Sequence, residues 1–263
     1  MKYTSHIQSF ICLIIFLSAC GPSQRELAVG KINLAEGIIA QGDTASGLAI
    51  LDSVSILFPK ADFQIEVAKK IKAEVYQQLI DRKKMQLRET EALIAELEPN
   101  FIKEKTQYDL YSQYIPVQQE KKRKSNSTFL QVNLDERGEL FLSSTYMGKT
   151  QLNHNRIKLY DGIVQIESAK IPADDPNSRK NDFLDYKWEK ISFTEGRSDS
   201  LIQFISKYSE LPLKCALFGQ NSYYYFLEKT DIAAIKNGYE LSMAIKQRKA
   251  IQNELSGLEK KRN

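Results

Sequence analysis

Apolar residues recur at steps of three and four from Gln24 to Gln41. Leu27, Leu34 and Ile38 form one stripe, and Ala28, Ile32, Ala35 and Ile39 run beside it. That spacing predicts a helix with one face to bury. Gly42-Asp43 breaks the pattern and Thr44 stands where a second helix would be capped; Ala45, Leu48, Ala49, Leu51 and Val54 carry that helix to Phe58-Pro59. From Asp62 to Pro99 no Gly or Pro interrupts the chain, and Ala73, Ile80, Leu87, Ile94 and Phe101 recur at seven-residue steps. The seam positions between them are mixed, with Tyr76 and Leu97 apolar but Lys83 and Thr90 polar. This predicts a helix roughly 55 Å long that stops or kinks at Pro99. Tyr108, Tyr111 and Tyr114 are spaced for a further helical turn or two before Pro116.

The end of the chain answers this helix. Thr230-Asp231 is a helix start, after which Leu241, Ala244, Arg248, Ile251, Leu255 and Leu258 step by three and four as a heptad seam. Neither long helix carries enough apolar surface to stand alone in water, so the expected solution is an antiparallel coiled-coil hairpin of the two; the alternative is that the last helix folds back on the β-region.

Between the helices the period changes to two. Leu130, Val132 and Leu134 alternate, Asp135-Glu136-Arg137-Gly138 turns, and Leu140 and Leu142 return, which predicts a hairpin. Ile157 to Tyr160 runs into Asp161-Gly162, with Ile163 to Ile171 as the return strand; residues 172–182 read as a polar loop. Tyr186, Trp188, Ile191 and Phe193 suggest a strand with a bulge or a shift of face, and Ser198 to Ser209 a short helix. Leu213, Cys215 and Leu217 alternate, Gly219-Gln220-Asn221 turns, and Tyr223 to Phe226 returns.

The expected fold class is therefore α+β. An N-terminal helical hairpin (20–60) is followed by a long helix with a connector (61–127). An antiparallel β-sandwich or open barrel (128–229) is inserted next, and a C-terminal coiled-coil helix (230–263) pairs with 61–100.

Residues 1–19 read as a signal peptide: Lys2 supplies a positive start, and Ile7 to Leu17 form an apolar stretch too short to span a bilayer comfortably. Leu17-Ser18-Ala19-Cys20, followed by Gly21, resembles the lipobox of bacterial lipoproteins. The resemblance implies that Cys20 carries a diacylglycerol, that the preceding peptide is cut, and that the new amino terminus is acylated, with palmitate a typical chain. Several acyl chains, at about 0.8 kcal/mol per methylene, would make release from a membrane slow. Neither Asp at the next mature position nor an acidic cluster follows Cys20. By the sorting habits of such lipoproteins this implies an outer-membrane anchor facing the periplasm. The stretch Phe129 to Gly148, and Leu217-Phe218-Gly219 through Tyr223-Tyr224-Tyr225-Phe226 to Asp231-Ile232-Ala233-Ala234-Ile235, resembles a group of uncharacterised Bacteroidota lipoproteins that pair long helices with a β-domain. The first two helices resemble a single tetratricopeptide hairpin. Periplasmic adaptors of efflux pumps also combine a coiled coil with β-domains. There, however, the hairpin is inserted into the β-domains rather than the reverse.

Composition narrows the chemistry. With 42% hydrophobic and 27% charged residues in 263, the chain fits a folded body, and a net charge of +4 is too weak to argue for nucleic acid. Loss of residues 1–19 leaves His154 as the only histidine and, with Cys20 lipidated, Cys215 as the only thiol. That set is too small for zinc or an intramolecular disulfide, and no cofactor or metal is expected. His154 reads as part of a polar loop and Cys215 as a small core residue. Gly42-Asp-Thr-Ala-Ser-Gly47 has P-loop glycine spacing, but Leu48 and Ala49 replace the Lys and hydroxyl residue. Asp174 to Ser178 lacks the alternating ligands of an EF-hand.

Two features remain as candidate interaction surfaces. Lys121-Lys122-Arg123-Lys124 is a compact basic block. Tyr223, Tyr224, Tyr225 and Phe226 present rings on both strand faces, so at least one should point outward, and with Tyr186, Trp188 and Tyr160 they could line a sugar- or peptide-binding face; Trp188, Tyr223 and Tyr225 are the residues singled out. The expected function is that of a non-enzymatic envelope lipoprotein projecting a β-domain on a helical rod toward an envelope protein or another copy of itself. The alternative is a glycan- or peptide-binding lipoprotein that uses an aromatic β-face.

Overall fold

The computed structural model describes residues 22–125 and 127–262, so Cys20 and the leader lie outside the described residues. The described residues are mixed α+β, with two antiparallel sheets and no closed barrel among them. It divides into two compact units. One comprises the chain up to Lys84 with the segment from Glu254; the other is Met85–Asn253.

In the first unit, α1 (Gln24–Ala40) and α2 (Thr44–Leu57) form a hairpin. Ser23 caps α1 through a reciprocal pair with Glu26, and Asp43, rather than Thr44, caps α2 by accepting from Ser46 N. Thr44 is the first helical residue, so its side chain is one position too late to serve. Ala28, Ile32, Ala35, Leu48, Leu51 and Val54 pack with Ala61, just before α3 (Asp62–Leu97), and with Ala68, Val75 and Tyr76 from its first half. Small residues on α1 let the helices approach closely. The last turns of α6 (Lys229–Arg262) join this unit: Leu258 packs against the same cluster, Lys83 pairs with Glu254 at 2.6 Å, and Arg262 donates to Gln77 at 2.6 Å.

In the second unit one sheet has six strands in the order β1-β2-β3-β4-β8-β7, and the other has four in the order β10-β9-β5-β6. The strands of the first are β1 (Phe101–Glu104), β2 (Gln113–Pro116), β3 (Phe129–Asp135), β4 (Leu140–Gly148), β7 (Ser178–Phe183) and β8 (Tyr186–Phe193). Those of the second are β5 (Arg156–Tyr160), β6 (Gln165–Glu167), β9 (Lys214–Phe218) and β10 (Ser222–Phe226). Period-2 alternation works as expected: Val132, Leu142, Ile191 and Phe193 from the larger sheet and Ile157, Leu159, Cys215 and Leu217 from the smaller belong to one buried cluster. Helix α5 (Asp199–Lys207) adds Leu201, Ile202, Phe204 and Ile205, and the start of α6 adds Ile235 and Leu241. A four-residue helix, α4 (Glu120–Arg123), precedes β3.

Several local expectations need correction. The tyrosine-rich segment is not helical: Phe101 opens β1, and Tyr114 sits in β2, where its ring meets Phe101 edge-on at 6.1 Å. The helix stops at Leu97 because Pro99 follows, and the next apolar residues find a sheet edge to complete. The loop after Ile171 is shorter than predicted, since Ser178–Phe183 forms β7 against β8. Its polar residues gave no alternation because both faces of this edge strand are largely exposed. The return strand after Asp161-Gly162 is only Gln165–Glu167. Strand β8 keeps an unbroken register with β4 and β7, without a bulge; its alternation was masked because one inward position is filled by Glu189.

Candidate functional site

His154 lies in the loop between β4 and β5, as expected, but that loop does not carry it to solvent. It is buried at 1% exposure two residues before β5, and its burial is made possible by two other polar groups on the inner face of the larger sheet. Glu189 on β8 and Ser144 on β4 are both fully buried. His154 Nδ1 is 2.6 Å from Glu189 Oε2, and His154 Nε2 is 2.7 Å from Ser144 Oγ. Glu189 also accepts the backbone N–H groups of Leu152 at 2.7 Å, Asn153 at 2.8 Å and His154 at 3.0 Å. Burial pushes this carboxyl's pKa up, but the bonds from His154 and the backbone outweigh burial and hold it below the usual 4.5.

The connectivity is that of a Ser–His–acid chain. Its surroundings make it a clamp on the β4–β5 loop. Ser144 is closed off in the middle of the sheet, whereas the cavity of about 370 Å³ beside His154 is lined by Asn153, Asn155, Lys180, Gly219 and Gln220, not by the serine. The same loop is held from the other side. Asn221 N donates to Leu152 O at 3.1 Å and Asn155 N to Phe218 O at 2.8 Å, and a Cβ on Gly219 would fall 2.2 Å from Asn153 O. The loop is thus fixed between Glu189 and the β9–β10 turn. Nothing in the local sequence Asn153-His154-Asn155 signals this, because the carboxylate partner is 35 residues away.

Cys215 lies on β9 opposite Leu159 and Tyr225, wholly buried, and burial pushes its thiol up to about 12. It has no part in the His154 network. Among the described residues no group of three or more His, Cys, Asp and Glu side chains is placed to hold a metal ion, and no helix is long and apolar enough to cross a membrane.

The basic block is split by its helix. Lys121, Arg123 and Lys124 are exposed, with Lys124 bonded to Glu120 at 2.6 Å. Lys122 turns inward to pair with Asp231 and Glu228, both at 2.8 Å, at the start of α6. Beside it Gln119, fully buried, stands in for a strand neighbour: its amide donates to Leu130 O at 2.8 Å and Asp231 Oδ1 at 3.1 Å and accepts from Val132 N at 2.9 Å. The pair β2·β3 reaches only Asp135 and Leu134, so Gln119 satisfies the part of β3 that β2 leaves open.

The aromatic candidates do not share one face. Trp188 is half-buried on the larger sheet, pairing with Met147 and Asn181 on the side opposite Glu189. Tyr225 is half-buried against the core, and Tyr223 stacks on Tyr146 at 5.3 Å and Tyr225 at 5.9 Å. Tyr223 shares the inward face of Tyr225 yet keeps 38% of its surface exposed; the residues on the outer face of β10 are Tyr224, 50% exposed, and Phe226, 64% exposed.

The outer face of the four-stranded sheet carries these two rings in three rows set by the strand register. Ser222, Phe218 and Arg156 make the first row; Tyr224, Ala216, Lys158 and Glu167 the second; Phe226, Lys214, Tyr160 and Gln165 the third. Rings and cations alternate across it. Lys214 lies 5.1 Å from the Tyr224 ring centre, Arg156 5.7 Å from Phe218, and Lys158 5.6 Å from Tyr160. Phe218 and Tyr224 meet edge-on at 5.8 Å over the small Ala216. Strand β10 is paired only with β9 among the described residues, which leaves this face bounded by a free strand edge.

Comparison of the chain with protein-family models, with curated proteins and with solved structures returns no match.

Proposed function

We propose that the protein is a non-enzymatic lipoprotein of the cell envelope, anchored through Cys20 in the outer membrane and facing the periplasm, that works by binding. In this reading α3 and α6 form an antiparallel coiled coil that serves as a spacer, and the two sheets form a sandwich that does the recognition. The pairing of Lys83 with Glu254 and of Gln77 with Arg262 supports the coiled coil, since positions fall on one helix as they rise on the other. The single cluster fed by both sheets supports the sandwich.

The observation that carries the binding function is β10: a strand with one edge unpaired, presenting Tyr224 and Phe226 outward. A free edge offers backbone hydrogen bonds to an added strand, and exposed rings supply contact area beside it. The partner in this reading is an envelope protein or a second copy of the chain. The test is crosslinking in intact cells followed by mass spectrometry. A single co-purifying envelope protein, lost with Tyr224→Lys and Phe226→Glu, is expected. Capture that these changes leave intact would refute the role of β10. Cys20→Ser should abolish palmitate labelling and membrane retention; a variant that still labels would refute the anchor. One observation favours the alternative of a glycan- or peptide-binding face: the alternation of rings and cations on the outer side of the same sheet.

A further inference from the structure

We infer that the outer face of the four-stranded sheet binds an acidic polysaccharide. The inference rests on the alternative reading above, in which the β-region binds a ligand, and narrows it to one face and one ligand class.

Three cations occupy this face, Arg156, Lys158 and Lys214, against one carboxylate, Glu167. Glu167 is committed to Lys158 at 2.8 Å and Arg156 at 3.4 Å. Among the described residues no carboxylate lies within ion-pair distance of Lys214, whose amine rests over the Tyr224 ring instead. The face is therefore built to receive negative charge, and the charge it lacks is greatest beside the free edge. Its rings supply the second half of the chemistry. Tyr224 and Phe226 stand two positions apart on β10, about 7 Å along the strand, with Phe218 and Tyr160 on the strands beyond. An acidic sugar polymer presents both complements in alternation: flat C–H faces for rings and carboxylates for cations. Ala216 is wholly covered by its neighbours, so the side chains around it form a continuous surface of rings and cations across the strands, which suits a polymer lying along it.

Nucleic acid and acidic peptide share parts of this chemistry. The lipobox leader favours the polysaccharide, because an exported, lipid-anchored chain meets acidic glycans and not a nucleic-acid pool.

The test uses the mature lipidated chain in detergent, presented with immobilised polygalacturonate, neutral dextran, poly-L-glutamate and a thymidine oligonucleotide. Polygalacturonate is expected to bind, dextran not, and affinity to fall severalfold between 50 and 300 mM NaCl. Lys214→Glu and Phe226→Ala, both at exposed positions, should each weaken binding about tenfold with unchanged melting, while Lys170→Glu leaves it intact. Polygalacturonate binding untouched by the two face variants would overturn the site. Equal, salt-insensitive binding of dextran would overturn the acidic class but leave the ligand reading standing. Binding of poly-L-glutamate or the oligonucleotide with polygalacturonate ignored would overturn the glycan assignment alone. No binding to any of the four polymers would overturn the inference.

Discussion

The Nδ1 atom of His154 lies 2.6 Å from Oε2 of Glu189, with both side chains at most 1% exposed. This contact joins two sheets through one loop. The first prediction concerns its charge. Glu189 titrates below 4.5 in the fold, so its contribution to stability is complete above that unfolded value and is lost as pH falls through the lower folded pKa. Glu189→Gln turns an amide donor toward backbone N–H groups and should cost about 3 kcal/mol in urea denaturation at pH 7. The gap to wild type should shrink as pH is lowered below 4.5. A constant gap across that window would contradict the ionised clamp.

A second prediction follows from the unequal terms of the Lys122–Asp231 pair. Burial pulls the Lys122 pKa down, but its bonds to Asp231 and Glu228 outweigh that and leave it raised. Burial raises the Asp231 pKa, and Lys122 only partly offsets it. The cost of the pair therefore falls on the aspartate. Lys122→Met leaves a buried carboxylate unpaired and should cost about 3 kcal/mol, whereas adding Asp231→Asn should restore most of the loss. Equal loss in the single and double variants, read from denaturation midpoints, would rule this out.

Gly138 supplies a third. Its φ is +85°, and a Cβ there would meet the carbonyl oxygen of Ser242 at 2.9 Å. Ser242 Oγ donates to Gly138 O at 2.6 Å, so the β3–β4 turn and α6 touch backbone to backbone. Gly138→Ala should destabilise by about 2 kcal/mol through strain and displaced contact. Gly162, with φ +103° but open space around it, should cost less on the same change. Thermal melts of the two variants compare turn strain with and without the helix contact.

Cys215 gives the fourth. Its thiol is fully buried and held near pKa 12. In the native protein at pH 8 it should resist a thiol reagent and react fully in 6 M guanidinium. Its labelling rate then reports opening of the second unit, and rapid native labelling would show that β9 is not held as described.

Much of the chain was legible because the signal was local. The α1–α2 hairpin, the two long helices, the β3–β4 hairpin and the β9–β10 return all follow from periodicity and turn chemistry within some twenty residues. Legibility failed where a segment's fate depends on a distant neighbour. Tyr108 to Tyr114 has helical spacing, yet β1 and β2 form because β3 offers an edge. His154 was legible as a loop residue but its burial was not, because that burial depends on Glu189 and Ser144, which lie on strands. On β10 the alternation itself was visible, but which side faced inward was not. A strand has two faces, and Tyr223-Tyr224-Tyr225-Phe226 gives both the same kind of residue.

By itself, then, the sequence determined the type and order of the elements whose signal is local, the α1–α2 hairpin, the two long helices and the β3–β4 and β9–β10 hairpins, because these are set by spacing and by turn residues close in the chain. Only the tertiary structure decided that His154 and Glu189 meet, that Lys122 is an inward pair rather than a surface charge, and that Tyr224 and Phe226, not Tyr223 and Tyr225, face out beside Lys214. Those outcomes depend on which sheet covers which face, and that is settled by packing between segments far apart in the chain.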